Sequence, residues 1–134
     1  MTEAFKRWNP HEAIPLHVKI TAIRDEDEGL CVVLAAEKTG EEVAKIVFQD
    51  FVAYRNINES FRSRTWGSRD MKGSSSLLLV EGSSWLKWLN EESVGVLEEF
   101  DVTHYAIYTN DDCLDVASRV APAVLRIVHN APPH

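Results

Sequence analysis

Ser76-Leu77-Leu78-Leu79-Val80-Glu81-Gly82-Ser83-Ser84-Trp85-Leu86-Lys87-Trp88-Leu89-Asn90-Glu91-Glu92 is the stretch on which the fold turns. Leu77 to Val80 is a continuous apolar run of strand length, and Gly82 ends it. Ser83 or Ser84 then stands where a hydroxyl accepts from the orphan amides of a new helix. On that helix Trp85, Trp88 and Leu89 fall at i, i+3 and i+4 and share a face, with Leu86 beside them. An aromatic of this size buries roughly 150–250 Å². Two indoles on one short helix therefore predict that the helix plugs a β-rich core.

The flanking segments supply the strands. Leu16 to Arg24 alternates, with Val18, Ile20 and Ala22 on one side, and reads as a half-buried strand. Asp25-Glu26-Asp27-Glu28 with Gly29 is its turn, because four adjacent carboxylates tolerate neither core nor sheet. Leu30 to Ala36 is a returning central strand, and Glu37 to Gly40 the next turn. Val43 to Arg55 reads as one long third strand, bent at Gln49-Asp50, where its alternation loses phase. Residues 1–15 carry Pro10 and Pro15 with no sustained period and are expected to form an arm.

His104 to Ala117 is the clearest hairpin. With Asn110-Asp111 as its turn, Ile107 opposes Leu114 and Tyr105 opposes Val116. That register puts these four on one apolar face, and His104, Tyr108, Cys113 and Asp115 on the other. Leu97 to Asp101 is read as an acidic connector, Val124 to Val128 as an edge strand, and residues 129–134 as a disordered tail. The expected architecture is a single α+β domain: a mostly antiparallel, curved sheet of about six or seven strands packed on one main helix.

The chain of 134 residues is long enough to bury a core without crosslinks. No apolar run reaches the ~18 residues of a membrane span, and Met1 to Arg7 has no signal-peptide h-region. Cys31 and Cys113 lack metal or redox spacing, so reduced thiols and a cytoplasmic location are expected; whether they meet is open. Charge is uneven. Residues 74–134 hold 3 basic and 9 acidic side chains, a balance of −6 within a total of −7. All nine acids lie between Glu81 and Asp115, against the single base Lys87. Such a field repels nucleic acid and anionic membrane and favours a basic partner, although modest acidity also simply keeps a protein soluble.

Catalytic signatures are absent: no Gly-x-Ser-x-Gly, no glycine-rich phosphate loop, no His-Glu-x-x-His, no calcium loop. His104, Asp111, Asp112 and Cys113 share the last hairpin, but His104 and Cys113 sit toward opposite ends of it. The four successive carboxylates at Asp25–Glu28 diverge, unlike the alternate ligands of a calcium loop. Gly82-Ser83-Ser84 offers only what every helix start offers an anion. Arg62, Arg64, Arg69 and Lys72, interleaved with Phe61, Trp66 and Met71, are expected to answer neighbouring acids rather than bind nucleic acid. No cofactor and no metal is expected.

Three segments recur in an order that resembles a known group. They are Phe48-Gln49-Asp50-Phe51-Val52-Ala53-Tyr54-Arg55 with Glu59; the strand and helix ending in Ser84-Trp85-Leu86; and His104-Tyr105-Ala106-Ile107-Tyr108-Thr109 leading into Asp112-Cys113-Leu114-Asp115-Val116. This is similar to the small bacterial immunity proteins encoded beside polymorphic or contact-dependent toxins. The resemblance implies a cytosolic protein without catalysis that binds and blocks one toxin domain, often a basic nuclease. The partner surface is then expected on Glu91, Glu92, Glu98, Glu99, Asp101, Asp111 and Asp112. The alternative is a small-ligand binder or enzyme with a cavity lined by Trp85, Trp88, Tyr105 and His104. Oligomeric state is open.

Overall fold

The computed structural model describes residues 3–67 and 75–128. Among them nine strands form two antiparallel sheets rather than one. The strands are β1 (Ala4–Arg7), β2 (Val18–Glu26), β3 (Gly29–Ala36), β4 (Glu42–Phe48), β5 (Phe51–Asn58), β6 (Leu77–Glu81), β7 (Thr103–Tyr108), β8 (Asp112–Ser118) and β9 (Ala123–Arg126). There are two α-helices, α1 (Ser63–Gly67) and α2 (Ser84–Glu92), with 3-10 turns before the first at Glu59–Phe61 and after the second at Val96–Glu99. One sheet runs β1-β6-β7-β8-β5 and the other β2-β3-β4-β9.

The core lies between the sheets. Leu30, Val32, Leu34, Ile46 and Phe48 from the four-stranded sheet meet Leu77, Tyr105, Ile107, Leu114 and Val116 from the five-stranded one. These are the alternate residues of each strand, as two-sheet packing requires. The β7–β8 hairpin has the expected register, with Tyr105 opposite Val116 and Ile107 opposite Leu114. The β2-β3-β4 meander forms, and β9 takes an edge beside β4. The expected Asp25–Glu28 turn is shorter: Asp25 and Glu26 belong to β2, opposite Leu30 and Gly29, on a solvent-exposed strand end that tolerates their charge. A bulge between Ile20 and Ala22 breaks the expected alternation.

The long third strand is two strands. Alternation loses phase at Gln49-Asp50 and resumes beyond them because those residues turn the chain from one sheet into the other, so β4 and β5 never pair. Gly29 makes the corner possible. Its φ is +125°, and a Cβ there would stand 2.4 Å from the carbonyl oxygen of Phe48. The arm expected over residues 1–15 contains β1, which pairs Phe5 with Val80 and extends the five-stranded sheet. The connector after α2 is the 3-10 turn Val96–Glu99. The tail 129–134 and the stretch 68–74 lie outside the described residues.

Helix α2 forms where expected: Ser83 is its N-cap and accepts from the Leu86 amide at 3.0 Å. Its place is different. The helix covers the outer face of the five-stranded sheet and does not plug the core. Trp85 is 7% exposed, against His104, whereas Trp88 is 52% exposed. With both sheet interiors already filled by each other, the helix has only one ring's depth of sheet to cover.

Candidate functional site

The outer face of the five-stranded sheet is chemically the busiest part of the molecule. Asp115 stands in mid-strand on β8, flanked by apolar neighbours, and is wholly buried. An ionised carboxylate there needs every lone pair answered. On one oxygen, His104 Nε2 lies at 2.7 Å and the Tyr108 hydroxyl donates at 2.6 Å. On the other, Arg55 Nε donates at 2.8 Å and Arg62 Nη1 at 3.1 Å. Strand pairing positions most of these: β5 brings Arg55 directly across from Asp115, while His104 and Tyr108 point to the same face from β7. Arg62 arrives from the turn before α1 and also donates to the Tyr108 and Thr65 hydroxyls.

Burial works against the charge on Asp115, but the hydrogen bonds from His104 and Tyr108, with the charge of Arg55, outweigh it and hold the carboxyl at about 2. Burial and the neighbouring carboxylate push the Tyr108 hydroxyl far up, so it remains a donor. For Arg62 burial opposes the charge, and Tyr108 and Asp115 more than restore it.

The chain of contacts continues to a serine. Ser83 Oγ lies 2.7 Å from His104 Nδ1, giving the sequence Ser83–His104–Asp115. That order matches a hydrolytic relay, in three side chains that are all buried. Ser83 Oγ also caps α2, and Asp115 is shared among His104, two guanidiniums and a phenol. Trp85 closes over the histidine edge-on at 5.2 Å, and Arg55 lies over the indole at 4.9 Å. The arrangement ties β5, β7, β8, α2 and the 59–62 turn into one unit.

No family model, curated protein or solved structure matches the chain.

The sequence-derived sites fare unevenly. His104 and Cys113 are apart, as expected: His104 faces Ala117, and Cys113 faces Tyr108. Both cysteines are buried, and neither is in a disulfide. The cavity expected from Trp85, Trp88, Tyr105 and His104 does not assemble. Tyr105 points into the inter-sheet core against Trp8 and Phe48, while His104 points out the other side. Glu26, Glu28 and Cys31 place donor atoms within 4.8 Å of one another. Burial, then the adjacent Glu28, raise the Cys31 thiol to about 11, and Glu28 already pairs with Lys45 at 3.1 Å. A protonated thiol is a poor ligand, so no metal is assigned there.

Of the seven expected partner carboxylates, Glu91, Glu92, Glu98, Glu99 and Asp101 are exposed on α2, the 96–99 turn and the loop after it. The turn is fastened to the helix: Asn90 Oδ1 accepts from the Glu98 amide at 3.1 Å and Ser93 Oγ from the Leu97 amide at 3.2 Å. Asp111 and Asp112 lie at the hairpin tip, at the far end of β7, about 20 Å away at strand rise. Exposed apolar side chains accompany the five acids: Trp88, Val94, Val96 and Phe100. Sequence reasoning missed two members of this neighbourhood. Arg119 folds over the Phe100 ring at 4.1 Å, placing a base beside the acidic turn. Val94 takes φ +54° and is 91% exposed.

Proposed function

We propose that the chain is a non-enzymatic protein-binding module that neutralises a basic toxin domain in the bacterial cytosol, as the immunity-type proteins it resembles do. The partner meets the ridge formed by the end of α2 and the 96–99 turn. Val94 carries this proposal. A β-branched residue at positive φ stores strain of about 1–3 kcal/mol, and full exposure returns none of it through burial. A contact that is made only with a partner explains both facts. Around it, Trp88, Val96 and Phe100 supply apolar area, and Glu91, Glu92, Glu98, Glu99 and Asp101 supply a negative rim. Asp111 and Asp112, about 20 Å away at the hairpin tip, are reached by a partner that spans that distance. The burial of the Ser83–His104–Asp115 chain supports a non-enzymatic reading.

Charge at a rim acts mainly on the association rate and fades with salt. Reversing Glu98 and Glu99 to Lys is expected to slow association with the toxin domain at least tenfold at low ionic strength, leaving the thermal midpoint within about 2 °C. Stopped-flow mixing with that domain and a melting curve read the two quantities. An unchanged rate at low salt makes the acidic ridge a solubility feature.

A further inference from the structure

A second surface has the opposite charge. Beside α2, on the outer face of the five-stranded sheet, lies a cleft of about 680 Å³ lined by Arg55, Arg62 and Arg64, with Tyr108 and His104 among its other walls. That size falls in the range of small-molecule sites. Arg62 is consumed by Asp115, Tyr108 and Thr65. Arg55 gives only its Nε to Asp115, so its two terminal amino groups have no hydrogen-bond partner among the described residues. Arg64 is exposed and has no ion pair among the described residues. One wall already holds an oxyanion from the chain itself. Glu3 accepts from the Ser84 amide at 2.9 Å and the Ser84 hydroxyl at 3.0 Å. Three guanidiniums thus stand against the two carboxylates of Asp115 and Glu3, in a chain whose net charge is −7.

We propose that this cleft binds a small molecule through an oxyanion head group, phosphoryl or carboxylate, seated between Arg55 and Arg64. Guanidinium forks match the paired oxygens of either group. The stacking of Arg55 on Trp85 and its bond to Asp115 hold one fork in place before binding. A polyanion does not suit the cleft, because Glu3 sits on its wall and the chain as a whole repels nucleic acid. The proposal is independent of the toxin-binding ridge, which uses other residues.

Titration calorimetry of the full chain with inorganic phosphate and with succinate, at ionic strength fixed by sodium chloride, tests it. At least one anion should bind saturably, phosphate naming the phosphoryl class and succinate the carboxylate class. Arg64→Ala should weaken that binding about tenfold or more, and Arg64→Lys should recover part of it. Since Arg64 is exposed, both variants should keep the wild-type melting curve, and amide shifts at Ser84 and Trp85 should follow the same binding isotherm. No saturation by either anion, equal binding by Arg64→Ala, or binding of a single-stranded oligonucleotide alone would each overturn the proposal.

Discussion

Asp115→Asn is expected to lower stability by about 3–5 kcal/mol, the usual consequence of removing one partner from a buried ion pair. The substitution keeps the volume and so opens no cavity. It leaves Arg55 and Arg62 without their carboxylate and gives His104 and Tyr108 an amide in place of a charged acceptor. For a chain of this size the midpoint should fall by roughly 10–20 °C. The pH dependence fixes the cause. Asp115 titrates at about 2 in the fold against an ordinary 3.8. A depressed carboxyl contributes its stability fully above the unfolded value, and the contribution disappears as pH falls through the folded one. Wild type should therefore lose on the order of 2 kcal/mol between about pH 4 and pH 2, a limb that the Asn variant lacks. Melting curves of both proteins across that range read it, and parallel curves would mean that Asp115 is not ionised in the fold.

Trp85→Ala should cost about 3–5 kcal/mol, comparable to deleting a core aromatic, although the ring lies outside the inter-sheet core. Its loss uncovers His104 and removes the surface on which Arg55 lies, so water reaches the Asp115 network. Trp88→Ala, three residues on and half exposed, should cost under about 1 kcal/mol. Urea denaturation of the pair gives the contrast directly. Equal losses would place both indoles in one buried cluster, against the described packing.

That contrast also marks what the sequence could and could not tell. Helical spacing places Trp85, Trp88 and Leu89 on one face, but not the depth available beneath it. The two sheets fill each other, and of the helix only Trp85 is buried. Hairpin register was legible because both strands alternate in phase, and it put His104, Tyr108 and Asp115 on one face. An aspartate set among Cys113, Leu114, Val116 and Ala117 was itself a signal of a buried charge. Its arginines were not legible, since Arg55 comes from a strand whose neighbour in the sheet no local pattern declares. Nor was the turn at Gln49-Asp50 separable from a bulge, because alternation resumes on both sides. The acidic residues were countable, but their division between the two ends of β7 required the fold.

The most direct measurement is growth of bacteria that co-express this chain with the basic toxin domain that the proposed function expects to be encoded beside it. Wild type and Ser83→Ala should both protect, because neutralisation rests on binding and not on a serine nucleophile. The Glu98→Lys, Glu99→Lys variant should protect poorly while accumulating to the same level. Undiminished toxicity with wild type, or protection lost in Ser83→Ala with its fold intact, would contradict the account.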